Sequence, residues 1–321
     1  MPLARVTLPE RRRPLLKQQL KESRLLRAIE CHDPLSALLG CHAESNHRQF
    51  DILWASGFSH ATLLGLPDSE LALLERRLAS IAEIAAMTAK PILADADTGG
   101  DAMALQFLCR RLEQLGVSGA VVEDKTGVKR TSLAQGVRHD LEDPAVFVQK
   151  IAHAKDGLLT GDFMIFARIE SLIAGAGLGD ALKRAEIYLR SSADGVVIHS
   201  KDRSGEEVLA FMQGYRQLQA DTGRTKPLVC IPTAYPHIIG ADLHQSGASI
   251  VIHGNHMIRA AYRGMQLAAK SILEHDRALE ADAVCAPVEE LLQAIGVDAR
   301  TTPVRPHAIG HESTARRIAN E

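Results

Sequence analysis

The sequence predicts an α/β fold consisting of one (β/α)₈ TIM-type barrel, and three observations lead to this prediction. Short segments that are apolar throughout recur along the chain, as in parallel strands that are covered on both faces. Segments with helical periodicity separate most of them, and polar residues stand where the apolar segments end. Eight strands alternating with helices favour a closed barrel over an open, doubly wound sheet.

The individual elements are expected in the following order. The strands are residues 27–32, 51–56, 91–97, 120–124, 163–170, 195–200, 227–233 and 249–255. The clearest helices are residues 71–87, 103–115, 145–154, 180–191 and, after the last strand, 257–274. We therefore expect an N-terminal helical extension at residues 1–25, the barrel at 26–275, and C-terminal helices with a polar tail at 276–321.

The N-terminal extension allows two interpretations. Residues 15–29 have the periodicity of an amphipathic helix, with Leu20, Leu25 and Ile29 near one stripe. The arginines from Arg11 to Arg13 would also suit a basic arm that binds RNA. Acidic residues at positions 10, 22 and 30 interleave with the basic ones, which favours a plain surface helix.

Composition excludes several classes of protein. The 37 basic and 39 acidic residues nearly balance, so no global field attracts nucleic acid or a membrane surface. No apolar run approaches the roughly 20 residues that span a bilayer, and no hydrophobic segment of a secretory signal follows the N-terminal arginines. The five cysteines are an odd, scattered set. They indicate reduced thiols and a cytoplasmic protein.

Four carboxylates at or near strand ends form a candidate metal site. Asp95 and Asp97 would share one face of a strand, because side chains alternate with a period of two. Glu123 ends the next strand, and Asp68 lies in the loop after residues 54–57. Oxygen ligands without His or Cys favour Mg²⁺ over Zn²⁺. In the alternative interpretation, Asp95 or Asp97 only caps the following helix.

A candidate anion site is expected opposite these carboxylates. Arg168 and His199 also stand at strand ends, and a guanidinium can bind a carboxylate or phosphonate with two hydrogen bonds. His199 could instead be a core histidine, but its position at a strand end, like that of the acids, favours function. The backbone amides of Ser56, Gly57 and Phe58 would supply further donors in a tight turn.

Five motifs resemble those of the phosphoenolpyruvate mutase/isocitrate lyase superfamily, and above all its phosphonopyruvate hydrolases and phosphoenolpyruvate mutases. They are Trp54-Ala-Ser-Gly57, Asp95-Ala-Asp-Thr-Gly99, Glu123-Asp-Lys125, Ala167-Arg168-Ile-Glu170 and His199-Ser-Lys201. The order of the motifs and the intervals between them also match. The resemblance implies a magnesium-dependent barrel enzyme that acts on a small phosphonate or keto acid.

The resemblance also implies roles for the matching residues. Asp95, Asp97 and Glu123 would hold Mg²⁺, which Mn²⁺ or Co²⁺ could replace, and Asp68 would lie beside the reacting centre. The substrate would be bound by Ser56, Gly57, Phe58, Arg168 and His199, and a mobile gating loop would carry Lys129, Thr131 and Ser132. The family further implies a homo-oligomer, a dimer or tetramer, with C-terminal helices exchanged between subunits.

The gating loop separates the possible reactions. The family's lyases resemble K-[KR]-C-G-H there, with a catalytic Cys, whereas this chain reads Lys129-Arg-Thr-Ser132. Mutases have Asn at the position of Thr131. The Thr of this chain resembles the hydrolases instead. The resemblance therefore implies hydrolysis of 3-phosphonopyruvate to pyruvate and phosphate. The alternatives are the mutase, a C–C lyase, and a non-catalytic barrel that binds a keto acid, suggested by a loop at Gly99-Gly100 that is one residue short.

Overall fold

Eight parallel strands close into a barrel in the computed structural model, which describes residues 7–71, 73–127, 129–134 and 136–296. The strands are β1 (Leu26–Cys31), β2 (Ile52–Ala55), β3 (Ile92–Asp95), β4 (Gly119–Glu123), β5 (Met164–Ile169), β6 (Gly195–Ile198), β7 (Leu228–Cys230) and β8 (Ile250–His253). Each strand pairs with its neighbours in the chain, and β8 pairs with β1 to close the barrel. The predicted (β/α)₈ fold and all eight predicted strands are confirmed.

Helices connect the strands and cover the outside of the barrel. They are α1 (Pro9–Arg12), α2 (Leu15–Leu20), α3 (Pro34–His42), α4 (Gly57–Leu63), α5 (Leu74–Ala85), α6 (Ala102–Gln114), α7 (Pro144–Asp156), α8 (Ser171–Ala174), α9 (Gly177–Arg190), α10 (Glu206–Thr222), α11 (Gly240–Gln245), α12 (His256–His275) and α13 (Val288–Ala294), with a 3₁₀ helix at Leu279–Val284. Two short antiparallel ladders join Glu44–Ser45 to Arg48–Gln49 and Lys125–Thr126 to Asp140–Leu141. No helix among these residues is long and apolar enough to span a membrane.

The strands bury both faces, as their continuous apolar sequences predict. Residues that face outward pack under the helices in one large hydrophobic cluster, and residues that face inward form a second cluster inside the barrel. On β4, for example, Val122 belongs to the outer cluster and Val121 to the inner one. The period of two therefore decides which side chains enter the barrel.

The N-terminal extension is shorter and more buried than the sequence predicts. The expected helix over residues 15–29 is wrong, because α2 ends at Leu20 and the chain enters β1 at Leu26. Leu16 is fully buried and joins the cluster inside the barrel. The apolar residues that were assigned to a helix stripe thus include part of a buried strand. In a short apolar segment, periodicity alone cannot distinguish a helix from a buried strand.

One of the N-terminal arginines holds this extension to the barrel. The Arg12 guanidinium is 2% exposed. It donates hydrogen bonds to Ala85 O at 2.5 Å, near the end of α5, and to Leu115 O at 3.1 Å and Gly116 O at 3.0 Å, just after α6. The last carbonyl groups of a helix accept no hydrogen bond from within the helix, and they attract cations. Arg12 therefore has a structural role in the barrel, in contrast to the solvent-facing basic arm considered above.

The C-terminal part has a different character, because little of α12 is buried. Ile258 is the buried residue of this helix, whereas Tyr262, Met265 and Leu273 are 60%, 64% and 84% exposed. The 3₁₀ helix and α13 follow, and the polar tail predicted from residue 299 lies outside the described residues. The division at residues 25 and 275 stays a prediction.

Candidate active site

The inward-facing positions of the strands change from apolar to polar at their C-terminal ends. On β3, Leu93 belongs to the inner hydrophobic cluster and Asp95, two residues later, faces the mouth of the barrel. The same step leads from Val121 to Glu123 on β4. Arg168 follows Phe166 and His199 follows Val197 in this way. The C-terminal ends of barrel strands are where such enzymes carry their active sites.

A cavity of about 450 Å³ opens at this end of the barrel. Ten of the twelve predicted site residues line it: Ser56, Phe58, Asp68, Asp95, Glu123, Lys129, Thr131, Ser132, Arg168 and His199. Thr233 and Asn255 line it as well, from the ends of β7 and β8. Gly57 and Asp97 lie behind this cavity, on the wall of a neighbouring one.

Asp95 and Asp97 come together by a turn of the chain and not by strand alternation. The strand ends at Asp95, and Asp97 has a φ of 53°, in the left-handed region that L-residues seldom adopt. The Asp97 amide donates to Asp95 Oδ1 at 3.2 Å, which fixes the turn. The alternative role as a helix cap is wrong for both carboxylates, because Asp101 caps α6 by accepting from the Ala104 amide at 2.8 Å.

Cationic side chains surround Asp97. Its Oδ1 contacts the Lys129 ammonium closely, and Lys129 also donates to Asp68 Oδ1 at 2.7 Å. Arg77 from α5 lies 3.4 Å from Asp97 Oδ2 and also donates to the Asp95 carbonyl. Burial alone would raise the pKa of Asp97, but Lys129 and Arg77 hold it below its usual value. Asp97 is therefore ionised and already neutralised by the protein.

Lys129 lies in the cavity as a stable cation. It is 3% exposed. Burial lowers the pKa of a lysine, but the negative charges of Asp97, Glu123, Asp95 and Asp68 outweigh that effect and raise the pKa of Lys129. A lysine in this state holds a proton at any physiological pH. As an ammonium group it can orient an anion or neutralise a carboxylate.

Arg168 is held by four protein groups. Its guanidinium lies 3.0 Å from Glu123 Oε1 and 2.6 Å from Glu170 Oε1. It also donates from Nη2 to Ser132 Oγ at 3.1 Å and to His199 Nδ1 at 2.8 Å. The two-bond clamp on a substrate anion that the sequence suggested is therefore engaged by the protein itself in this structure. Arg168 contributes positive charge and fixes its neighbours.

The contact with Arg168 determines how His199 is protonated. A guanidinium can only donate hydrogen bonds, so Nδ1 of His199 must accept, and a neutral ring then carries its proton on Nε2. Nε2 is buried and has no hydrogen-bond partner among the described residues. Burial and the charge of Arg168 lower the pKa of His199, although Glu170 opposes them. His199 lines the cavity and therefore has an N–H donor on Nε2 that no described residue uses.

Glu123 has the opposite electrostatic environment from Asp97. It is fully buried next to Glu170, and burial raises its pKa to about 7, with Glu170 adding to the shift and Arg168 opposing it. Lys125 Nζ lies 2.8 Å from Glu123 Oε2, but in a direction that makes no hydrogen bond. Glu123 Oε2 and Glu170 Oε1 are both buried carboxylate oxygens without a hydrogen-bond partner within the described residues. Of these two oxygens, Glu123 Oε2 belongs to the expected metal site, and a cation bound there would replace the Lys125 ammonium that lies 2.8 Å away.

The turn after β2 brings the backbone against the carboxylates. Ser56 caps α4 by accepting from the Ser59 amide at 3.2 Å. The Gly57 amide donates to Asp95 Oδ2 at 3.2 Å, so it serves the acidic cluster and not the cavity. A Cβ on Gly57 would lie 2.6 Å from Asp97 Oδ1, which explains why this position is glycine. The Phe58 amide is in the first turn of α4, where N–H groups have no partner within the helix.

Sequence reasoning assigned no role to two residues that position the acids. Arg77 lies on α5 in line with Ile81 and Ile84, two buried residues of its apolar stripe. An arginine within such a stripe could have been recognised as a buried cation that needs a carboxylate. Glu70 accepts from the Thr98 amide at 3.0 Å and from Thr98 Oγ1 at 2.8 Å. It fixes the short loop after Asp97 from a distant turn, and nothing in the sequence indicates that contact.

The chemistry of the donors fits a hard divalent cation, although the carboxylates bind cationic side chains in this structure. Asp95 and Glu123 line the cavity with carboxylate oxygens, and Asp97 lies just behind them. Within the described ranges, no three His, Cys, Asp or Glu side chains are arranged as a complete metal-binding group. The unpartnered Glu123 Oε2 and the all-oxygen donor set suit Mg²⁺.

A closed barrel with an acidic cluster facing an arginine–histidine pair at its C-terminal mouth defines the class: an enzyme-type (β/α)₈ barrel with a bipolar site. The family model described as phosphoenolpyruvate phosphomutase matches residues 16–273. The chain belongs to the phosphoenolpyruvate phosphomutase family, within the superfamily that the motifs indicated, and the family is one of enzymes.

Individual relatives include both kinds of enzyme that the sequence suggested. The chain is 35% identical to a phosphonopyruvate hydrolase from Variovorax sp. (strain Pal2), over 88% of this chain and 93% of that one. It is 33% identical to a phosphoenolpyruvate phosphomutase from Tetrahymena pyriformis, over 88% and 91% of the two chains.

Solved structures show the same two kinds of relative. A crystal structure of phosphonopyruvate hydrolase in complex with oxalate and Mg²⁺ matches with a TM-score of 0.78 and 33% identity, covering 88% of this chain and 94% of that one. A phosphoenolpyruvate phosphomutase from Streptomyces platensis subsp. rosaceus matches with a TM-score of 0.81 and 32% identity, covering 89% and 95%.

Proposed function

We propose that this chain hydrolyses 3-phosphonopyruvate to pyruvate and phosphate. The observation that carries the proposal is the bipolar cavity, in which carboxylates at the ends of β3 and β4 lie next to Arg168 and His199 at the ends of β5 and β6. One side is suited to a metal-bound keto acid and the other to a phosphonate. The 35% identity to a phosphonopyruvate hydrolase supports this choice.

The cationic side would bind and orient the phosphonate. His199 offers its Nε2 proton as a donor, and Arg168 adds positive charge that the surrounding carboxylates hold in place. Phosphoryl transfer passes through a loose transition state in which catalysis is mostly positioning and charge stabilisation. A rigid donor at His199 and a fixed guanidinium serve both requirements.

The acidic side would hold Mg²⁺ through Asp95, Asp97 and Glu123, directly or through water. When bound there, the ion would stabilise the negative charge that develops on the pyruvate enolate as the P–C bond breaks. The backbone amides of Ser56 and Phe58, two residues that line the cavity, would orient the carboxylate of the substrate. The similar phosphonopyruvate hydrolase whose crystal structure contains oxalate and Mg²⁺ supports this assignment.

The loop that carries Lys129 and Thr131 would decide what attacks the phosphorus. Thr131 lines the cavity and is partly exposed, and its side chain is smaller than the Asn of the mutases. The smaller side chain would leave room for a water molecule in line with the breaking bond. Asp68 lies on the cavity wall beside Lys129 and is the carboxylate placed to orient that water, because Lys129 keeps its proton.

The experiment that tests the proposal is ³¹P NMR of the protein with Mg²⁺ and phosphonopyruvate. We expect the substrate signal to be replaced by inorganic phosphate, with little phosphoenolpyruvate. Equilibration with phosphoenolpyruvate and almost no phosphate would overturn the hydrolase and support the mutase. No change in the substrate would contradict both and favour a barrel that only binds a keto acid.

Two variants sharpen this test. Thr131→Asn introduces the mutase side chain and is expected to slow phosphate release, whereas Thr131→Ser keeps the hydroxyl and the space and should resemble wild type. The C–C lyase has little support, because none of the five cysteines, all of which are described, lines the cavity.

We also propose that the chain forms a homo-oligomer, a dimer or tetramer, in which α12 and the helices after it pack against a neighbouring subunit. The support is the exposed apolar side of α12, which includes Tyr262, Met265 and Leu273. Contiguous exposed apolar residues of this kind commonly mark an interface. Light scattering coupled to size exclusion checks the proposal, and a monomer at micromolar concentration would contradict it.

A further inference from the structure

A further cavity, of about 570 Å³ and separate from the two described above, lies against the loop between β4 and α7. The two-residue ladder that pairs Lys125 with Leu141 and Thr126 with Asp140 closes this loop at its base. Lys129 lines both this cavity and the active site. The loop therefore separates two spaces, one that faces the carboxylates and one that faces away from them.

The outer cavity is lined mainly by basic residues. Lys125, Arg130, Arg138 and His139 contribute to its wall, and Asp140 is the one acid among the lining residues. Arg138 forms an ion pair with Asp140 at 2.8 Å. Asp140 is therefore already neutralised, and the remaining charge of the wall is positive.

Two of these side chains are available to a ligand: Arg130 is exposed to solvent, and His139 is buried with an unpartnered ring nitrogen. Arg130 forms no ion pair or side-chain hydrogen bond with any residue that the structure describes, whereas Lys125 lies between Glu123 and Glu170. His139 is 8% exposed, and its buried Nε2 has no hydrogen-bond partner among the residues that the structure describes. A buried polar atom without a partner costs about 1–3 kcal/mol unless a ligand or water supplies one.

The electrostatic environment of His139 favours an anion as that ligand. Burial and the positive charges of Lys125, Lys201 and Arg130 lower the pKa of His139, with Glu170 acting in the opposite direction. A dianion in the cavity would offset these charges and accept hydrogen bonds from both an imidazole and a guanidinium. Guanidinium groups match tetrahedral oxyanions with paired N–H donors.

We propose that this outer cavity is a binding site for a tetrahedral oxyanion of the phosphate or phosphonate class, held by Arg130 and His139. The site is distinct from the active site, since neither residue lines the catalytic cavity. Its ligand is either the phosphate released by the reaction or the phosphonate group of the incoming substrate. An anion bound there contacts the loop that also carries Lys129 into the active site.

The test reads the site directly through its histidine. Protein labelled with ¹⁵N at histidine is titrated with inorganic phosphate, and the His139 ring signals are assigned by their loss in His139→Gln. We expect a saturable shift of these signals in wild type, an apparent Kd at least about tenfold weaker in Arg130→Gln, and no change of Kd in Arg110→Gln. Arg110 is an exposed arginine of α6 that lines neither cavity.

Parallel titrations with phosphonoacetate separate the two sources of ligand. Tighter binding of phosphate assigns a product site, and tighter binding of phosphonoacetate assigns a substrate-capture site. An unshifted His139 signal, or an equal Kd in wild type and Arg130→Gln, would overturn the proposal. The measurement needs no turnover, so its result is independent of whether the chain cleaves phosphonopyruvate.

Discussion

The two ends of the barrel interior use the same inward-facing positions for opposite purposes. At the N-terminal end, Leu26 on β1 and Leu93 on β3 pack in a purely apolar cluster that Leu16 of α2 joins. At the C-terminal end, the same alternation places Glu123 and Arg168 in a cluster of charges that is also almost fully buried. Burial is similar at both ends, and only the chemistry of the side chains differs.

The comparison shows where stability and function are separated along a strand. At the N-terminal end, which we call the closed end, burying apolar side chains stabilises the fold by roughly 25 cal/mol for each Å² removed from water. At the C-terminal end, which we call the open end, burying charges costs desolvation free energy. Ion pairs offset that cost only when every partner is in place. Substitutions at the C-terminal end should therefore affect activity, and substitutions at the N-terminal end should affect the free energy of unfolding.

The largest effect is expected at the open end. Asp95→Asn removes a negative charge from the proposed metal site, and we expect kcat/KM for phosphonopyruvate to fall by about a hundredfold to a thousandfold. The free energy of unfolding should fall by no more than about 1–3 kcal/mol, because Asn keeps an acceptor for one of the two amides that bond to Asp95 and leaves only the other unpaired. Steady-state kinetics and urea unfolding measure the two quantities.

The matched control for this variant is Asp101→Asn. Asp101 caps α6, and Asn serves equally well at that position. Activity and stability should both stay near wild type. If Asp95→Asn were as active as Asp101→Asn, the metal assignment would fail. A large loss of stability in Asp95→Asn would instead show that the charged end is structural.

The reverse pattern is expected at the closed end. Leu16→Ala empties a fully buried position and should lower the free energy of unfolding by about 2–5 kcal/mol, while kcat/KM remains within about twofold of wild type. Leu8→Ala is the control, since Leu8 is 56% exposed. Urea unfolding at one fixed protein concentration checks the prediction. A large loss of activity in folded Leu16→Ala protein would break the separation between the two ends.

The same two ends show how much the sequence could predict. The strands and the residues that end them were predictable, because a period of two and the step from apolar to charged residues are properties of the sequence itself. The turn at Asp97 was not predictable, since an aspartate with a φ of 53° is held by contacts with Arg77 and Lys129 from distant parts of the chain. The N-terminal helix was predicted too long for a related reason, because packing decides where α2 ends.

The interaction of Arg168 with its neighbours was also hidden from the sequence. Its position at a strand end suggested a free guanidinium for substrate. The geometry instead connects it to Glu123, Glu170 and His199, through distances that only the closed barrel defines. Site residues are therefore easier to predict from sequence than the partners that orient them.

A smaller effect is expected for the residue that fixes the loop after Asp97. Glu70→Ala removes the acceptor for the Thr98 amide and hydroxyl, and we expect the affinity for Mg²⁺ to weaken by about tenfold. Glu70→Gln keeps an acceptor oxygen and should restore most of that affinity. Calorimetric titration with Mg²⁺ measures it. Glu75→Ala, on exposed α5 surface, is the control. Equal Mg²⁺ affinity in Glu70→Ala and wild type would assign Glu70 to the fold alone.

The smallest effect concerns a single proton at the open end. Burial and Arg168 lower the pKa of His199 from its usual value of 6.5, so the ring should be neutral at pH 7, with its proton on Nε2 and none on Nδ1.

Since the pKa of His199 is lower in the folded than in the unfolded state, the neutral ring contributes stability that is present above pH 6.5 and is lost as the pH falls through the folded pKa. Protonation of Nδ1 would also remove the acceptor for Arg168, so kcat/KM should decline in the same acidic range. Nitrogen-15 spectra of labelled histidine, with the His199 signal identified in His199→Gln, report the protonation of both ring nitrogens. A ring that is doubly protonated at pH 7, or that carries its proton on Nδ1, would show that Arg168 does not set the state of His199, and the charged end would then lack the fixed donor that distinguishes it from the apolar end.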